Sequence, residues 1–160
     1  MPSKLSLSTS DLVHIQWGGS NTHTNSAPGG DGQTGDDGQG KSGTDRTNFV
    51  QIAHPEENYP LPYEAAFLWN SVNIVWAGDS QIKNAEDLAL FLATGGYYDC
   101  NKGCEKSVEN LPSIDPLLNK INASSSGVIF KITKSDTYYY MCSRNNNFSN
   151  RSQKGRLIVY

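Results

Sequence analysis

Long hydrophobic runs, basic residues and histidines are all scarce in this 160-residue sequence, and each scarcity excludes a class of protein. No apolar run reaches about 18 residues, the length that a transmembrane helix requires, so we expect no membrane insertion. The 13 lysines and arginines are outnumbered by 16 aspartates and glutamates, and the net charge of -3 argues against a nucleic-acid-binding protein. Charged residues make up only 18% of the chain, below the usual ~25%. Weakly charged polar chains of this kind are common among secreted β-proteins.

Catalytic motifs are also missing. The three histidines, His14, His23 and His54, stand in no Ser-His-Asp or Cys-His motif. Glu56 and Glu57 are adjacent, so in an extended chain their carboxylates point apart and do not form an acid–base pair. We therefore expect that the protein is not an enzyme.

Three cysteines leave few options for metal or disulfide chemistry. Cys100 and Cys104 frame a short polar turn. A zinc site needs about four ligands, more than this pair and the scattered histidines supply. We predict a local disulfide between Cys100 and Cys104, and two free thiols are the alternative. Cys142 is then the odd cysteine, either a buried thiol or a ligand.

Three Asn-x-Ser sequons are present, at Asn122, Asn147 and Asn150. Each sequon alone is a weak signal, because such triplets arise by chance in a chain rich in asparagine and serine. Together with the cysteine turn they favour an extracellular location. We therefore expect a secreted glycoprotein.

Residues 18–48 contain no Val, Ile, Leu, Met or aromatic residue, and nine of the 15 glycines lie there. A stretch of this composition cannot form a core element, and it is longer than the usual connection. Its aspartates alternate with glycines, which suits calcium ligands on a tightly turning loop, although the spacing and the closing Glu of an EF-hand are absent. A flexible polar loop, a loop ordered by its own hydrogen bonds and a calcium loop all remain open. The candidate calcium ligands are Asp31, Asp36, Asp37 and Asp45.

Short alternating apolar segments predict an all-β domain with little helix. A helix is expected to open at Asn84 as N-cap, with two acidic residues in its first turn, and to end at the glycine pair 95–96. A second short helix is expected at 115–121. Several short strands with small helices in the connections indicate a single-domain antiparallel β-sandwich over residues 1–160. The predicted strands lie at 11–17, 49–52, 73–76, 128–133, 137–142 and 157–160.

The C-terminal segment resembles the last hairpin of a cupredoxin, the blue-copper β-sandwich. Residues 140–142 read Tyr-Met-Cys, and a polar loop then leads to Gly155 and Arg-Leu-Ile-Val. The strand at 11–17 is similar to the second strand of that fold. Residues 13–22, 43–48 and 140–155 resemble, more closely, a group of secreted cupredoxin-like proteins of protists and algae. The resemblance implies a Greek-key sandwich in which residues 18–48 are an insertion.

The same resemblance bears on copper. A type 1 copper centre needs two imidazoles and a thiolate, often with a weak axial methionine. Cys142 fills the thiolate position of the cupredoxin pattern, and Thr47 stands where the first histidine is expected. The sequence between Cys142 and Gly155 contains neither histidine nor methionine. The resemblance therefore implies a degenerate site with no metal. If copper is nevertheless present, Cys142 and His54 are its candidate ligands.

We thus expect a secreted, non-enzymatic cupredoxin-like module that has lost its type 1 copper ligands and acts in binding or in extracellular structural assembly. Its expected partners are other protein chains or further copies of itself. Carbohydrate is another candidate partner, because Tyr97, Tyr98 and the run 138–140 offer aromatic rings for stacking. The alternative function is copper-binding electron transfer through Cys142 with unconventional ligands.

Overall fold

The computed structural model describes residues 2–18, 47–80, 82–94, 125–143 and 153–160. These residues form seven strands, one α-helix and two short 3-10 turns. The strands are β1 (Lys4–Leu7), β2 (Val13–Trp17), β3 (Val50–Ile52), β4 (Val72–Ala77), β5 (Ser125–Ile132), β6 (Asp136–Met141) and β7 (Lys154–Val159). The helix is α1 (Ala85–Thr94), and the 3-10 turns are Tyr63–Ala65 and Trp69–Ser71.

The strands are divided between two sheets. The four-stranded sheet has the order β1-β7-β6-β3, and the three-stranded sheet has the order β2-β5-β4. Strands that follow each other in sequence repeatedly lie in different sheets, as β1 and β2 do, which is the crossing connectivity of a Greek-key sandwich. The prediction of an all-β sandwich is therefore confirmed.

All six predicted strands are present, with boundaries that differ by up to three residues from the prediction. The structure adds β1, which was not predicted although Leu5 and Leu7 alternate with polar residues, because the segment is only four residues long and three of these residues are exposed. β1 pairs with β7 in parallel, whereas the other strand pairs in the described residues are antiparallel. The sandwich is thus antiparallel except at this one edge.

The core lies between the two sheets. Val128 and Phe130 of β5 and Tyr138 and Tyr140 of β6 are almost completely buried, because alternate residues of each strand face the opposite sheet. The hydroxyl of Tyr138 donates to the backbone carbonyl of Lys134 at 2.9 Å, so its polar end is satisfied. Two of the three tyrosines in the run 138–140 therefore contribute to the core, as the alternation predicts.

Helix α1 begins where the sequence predicts. The backbone N–H of Asp87 donates to the side-chain oxygen of Asn84 at 2.8 Å, which confirms Asn84 as the N-cap. Leu88 and Leu92, one turn apart, are buried against the core. The second predicted helix, at 115–121, lies outside the described residues. Within the described part of the chain, no helix has the length and apolar character needed to cross a membrane.

Candidate functional site

Cys142 directly follows β6, and its side chain is buried with 1% exposure. The alternation that turns Tyr138 and Tyr140 inward also turns Cys142 inward. The backbone N–H of Cys142 donates to the carbonyl of Gln153 at 2.9 Å, just before β7 begins. Cys142 is therefore anchored at one end of the four-stranded sheet.

Thr47 lies beside Cys142. Its hydroxyl donates a hydrogen bond to the sulfur, with a distance of 3.4 Å between Oγ1 and Sγ. The strand register explains this proximity, because Val50 of β3 is paired antiparallel with Met141 of β6. Residues just before Val50 consequently lie next to residues just after Met141. The position at which the cupredoxin pattern expects a histidine is therefore adjacent to the thiol, and a threonine occupies it.

Asn48 holds this end of the sandwich together. Its side-chain Nδ2 donates to the carbonyl of Ala93 at 2.8 Å and to the hydroxyl of Ser143 at 2.7 Å. Its Oδ1 accepts from the backbone N–H of Ser143 at 2.8 Å. Asn48 is buried, so these bonds form away from solvent. They fix the segment that carries Thr47 against the segment that carries Cys142 and against the end of α1. We call these three bonds the Asn48 bracket.

Aromatic residues pack next to the Asn48 bracket. The backbone N–H of Phe49 donates to the carbonyl of Leu92 at 2.9 Å, which satisfies one of the last carbonyls of α1. The Phe49 ring stacks on Tyr140 with centroids 4.7 Å apart, and it meets Trp69 edge-on at 6.1 Å. This packing places aromatic rings close to the bracket along the chain, since Phe49 directly follows Asn48 and Tyr140 precedes Cys142 by two residues.

The structure does not bring His54 and Cys142 together. His54 follows β3 by two residues, and its ring centroid lies 5.9 Å from that of Tyr139. Tyr139 alternates with the inward residues of β6, so His54 packs against the outer face of the sheet while Cys142 faces the inside. Along β6, three residues of extended chain separate Tyr139 from Cys142, about 10 Å.

His14 lies in the other sheet. It is exposed on β2, where its Nε2 donates to the carbonyl of Ser126 at 2.8 Å and its ring meets Trp76 edge-on at 6.4 Å. His23 lies outside the described residues. Among the residues that the structure does describe, no group of three or more His, Cys, Asp and Glu side chains is placed to bind a metal ion.

Several predicted sites fall outside the described residues and stay predictions. They are the candidate calcium ligands Asp31, Asp36, Asp37 and Asp45, the cysteines Cys100 and Cys104, and the sequons at Asn122, Asn147 and Asn150. The last two residues of the predicted insertion 18–48 are described, and they are Thr47 and Asn48 of the site itself. Sequence reasoning missed the Asn48 bracket, because a single asparagine at the end of a polar stretch carries no periodic signal.

Two tyrosines of the core have perturbed ionisation. Burial raises the pKa of Tyr140, whose hydroxyl donates to the backbone carbonyl of Pro2. Burial is also the main reason why the pKa of Tyr138 is raised. The nearby Asp136 carboxylate raises it further, whereas a hydrogen bond with Ser71 opposes the shift. Both phenols are therefore held in their neutral form.

Comparison with known proteins agrees with this architecture. The chain matches the family model described as the DD3-3 cupredoxin-like domain over residues 1–159. No curated protein and no protein of solved structure gives a match. The family match includes both sheets and the Thr47–Cys142 end of the sandwich. Since it extends over nearly the whole sequence, the chain belongs to the DD3-3 cupredoxin-like domain family.

Proposed function

We propose that this domain is a secreted, non-enzymatic cupredoxin-like module that has lost its type 1 copper ligands and binds other protein chains in an extracellular assembly. The observation that carries the proposal is the 3.4 Å contact between the Thr47 hydroxyl and the Cys142 sulfur. A type 1 centre requires an imidazole nitrogen at such a position. A neutral hydroxyl is a poor copper ligand beside a thiolate, so the pair is better suited to a structural hydrogen bond.

The placement of the histidines supports the same conclusion. His54 packs on the outer face of the sheet that carries Cys142, and His14 belongs to the other sheet. With three histidines in the whole chain, only His23 is left for a centre that needs two imidazoles. The positions of His14 and His54 in the described part of the chain therefore support the proposal that the type 1 copper ligands are lost.

An exposed apolar area supports a binding role. Val75 and Trp76 are adjacent on β4 and are 56% and 44% exposed. The pairing of β4 with β5 is irregular between Ile74 and Trp76, and a bulge of this kind turns side chains away from the regular alternation. Tryptophan is enriched in protein interfaces, so an exposed tryptophan beside an exposed valine is a candidate contact. Partner chains or further copies of this chain are the proposed occupants.

Secretion is supported by sequence features alone. The sequons at Asn122, Asn147 and Asn150 and the Cys100–Cys104 turn are both typical of extracellular domains. Protein produced in a eukaryotic host is expected to lose mass on glycosidase treatment. An unchanged mass would contradict glycosylation at these sequons.

Copper loading tests the central part of the proposal. The purified full chain is incubated with Cu(II) and with Cu(I), desalted, and examined by elemental analysis and visible absorption, with Cys142→Ser as the matched control. We expect no stoichiometric copper and no intense thiolate-to-copper band. Stoichiometric copper with such a band, abolished by Cys142→Ser, would establish the alternative function, electron transfer through Cys142 with unconventional ligands.

The binding role has a separate test. Light scattering over a range of concentrations reports self-association, and cross-linking on native material reports other chains. Trp76→Ser is expected to weaken the association, whereas Cys142→Ser, which changes a buried side chain, leaves it intact. If Trp76→Ser leaves the association unchanged, the exposed β4 side chains are not the contact.

A further inference from the structure

A cavity of about 290 Å³ lies between α1, β3 and the two 3-10 turns. Neither Thr47 nor Cys142 lines it, but Phe49, Trp69 and Ala93 do, so the cavity adjoins the Asn48 bracket. Two of its lining residues, Tyr63 and Leu90, are 37% and 59% exposed, so the cavity opens to solvent beside them. Exposed apolar side chains at the mouth of a cavity give an occupant further surface to cover.

The sequence of α1 explains why space remains there. Glu86, Ala89, Leu90 and Ala93 recur at the spacing of one helical face, and all four line the cavity. The two alanines are too short to reach β3, so the helix leaves a gap on this side. The leucines on the neighbouring face of the helix fill the core instead.

The lining combines aromatic rings with carboxylates. Phe49, Tyr63 and Trp69 supply the rings, and Glu64 and Glu86 supply two carboxylates. No lysine, arginine or histidine is found among the described residues that line the cavity. Aromatic faces attract organic cations, and the attraction grows when the cation is shielded from water. The negative charge of the carboxylates also favours a cation over a neutral molecule.

Gln51 adds an unmatched hydrogen-bond donor. It lines the cavity and is 98% buried, since 2% of its surface is exposed. Its Oε1 accepts from the backbone N–H of Leu68 at 2.9 Å, while its Nε2 has no hydrogen-bond partner in the described structure. A buried donor without a partner is destabilising. Because Nε2 has less than 1 Å² of accessible surface, an occupant that follows the present walls of the cavity does not reach it.

We propose that this cavity is a binding site for a small organic ammonium ion that has an apolar carbon body. The rings and carboxylates select the cation, and the alanine face of α1 sets the size of the occupant. Binding in the cavity is independent of copper, because neither Thr47 nor Cys142 is among the lining residues.

The test compares a cation with its neutral isostere. The full, unmodified chain, labelled with ¹⁵N, is titrated with choline chloride and, separately, with 3,3-dimethylbutan-1-ol at the same ionic strength. We expect saturable shifts in the amides of Ala89 and Ala93 and in the indole of Trp69 with choline. The neutral alcohol is expected to bind about tenfold more weakly. Equal affinity for the two probes, or no saturable shift at these positions, would overturn the proposal.

Substitutions at the cavity test the contribution of charge to choline binding separately from the contribution of cavity shape. Replacing both Glu64 and Glu86 by glutamine is expected to weaken choline binding about tenfold, since each exposed charge contributes modestly. The same double replacement at the exposed Glu56 and Glu57, outside the cavity, is expected to leave binding unchanged. Ala89→Leu fills the cavity and should abolish binding of both probes. Unaltered choline affinity in the Glu64→Gln/Glu86→Gln protein would overturn the role of charge.

Discussion

Replacing Asn48 by alanine measures how much the Asn48 bracket contributes to stability. The change removes two bonds donated by the side chain, to Ala93 and Ser143 at 2.8 and 2.7 Å, and one accepted from the Ser143 N–H at 2.8 Å. Asn48 is 4% exposed, so water does not replace these partners easily. At about 1 kcal/mol for each bond, the free energy of unfolding should fall by about 3 kcal/mol.

Urea unfolding followed by tryptophan fluorescence checks this value. With a denaturant dependence of about 2 kcal/mol/M for a domain of this size, the midpoint should fall by about 1.5 M while the slope stays the same. Asn73→Ala is the matched control, because Asn73 is exposed on β4, and its effect should stay within about 0.5 kcal/mol. A loss below about 1 kcal/mol for Asn48→Ala would refute the inference that the bracket holds the site together.

Three further predictions concern the core and the thiol. Gly127 has a φ of 77°, and a Cβ there would overlap the backbone carbonyl of Ile15. Gly127→Ala should therefore lower the free energy of unfolding by more than about 2 kcal/mol in thermal melts, and a neutral result would contradict the close approach of β5 to β2 at this glycine. Because burial raises the pKa of Tyr138 and of Tyr140, their stabilisation is complete below about pH 10 and declines as the pH rises towards the folded-state values. Denaturant midpoints that stay flat across this alkaline range would show that these phenols ionise equally in both states. Finally, Cys142 is 1% exposed, so Ellman's reagent should react with it slowly in the native protein and rapidly in denaturant. With Cys100 and Cys104 bridged, the denatured, non-reduced chain should show one reactive thiol, and three would reject the disulfide.

The strands and the helix start were predictable because local patterns determine them. Apolar residues alternate with polar ones in Val13–Trp17, and inward and outward residues alternate around Tyr138 and Tyr140. Such alternation predicts a strand with one face against another sheet, and the structure has that second sheet. Asn84 followed by acidic residues predicts a helix N-terminus, because the capping hydrogen bond joins residues within a single turn.

The candidate site was predictable only in part. The hairpin pattern around Cys142 and the position of Thr47 led to two residues that do touch. The bracket around Asn48 was not predictable, since its partners lie 45 and 95 residues away and depend on strand register. The position of His54 on the outer face likewise depends on where β3 ends, which local sequence does not reveal.

The parallel pairing of β1 with β7 determines how the domain responds to mechanical load. Lys4 is paired with Arg156 and Leu7 with Val159, so the two strands run in the same direction. Tension that draws Lys4 and Val159 apart along the strand axis makes the strands slide past each other, and it loads all of their hydrogen bonds at once. An antiparallel edge pulled in the same way would open one bond at a time. A chain of such modules joined through these strands would resist stretching, because the force would act on β1 and β7 in shear. The lifetime of each module under force would be set by its unfolding rate rather than by its equilibrium stability.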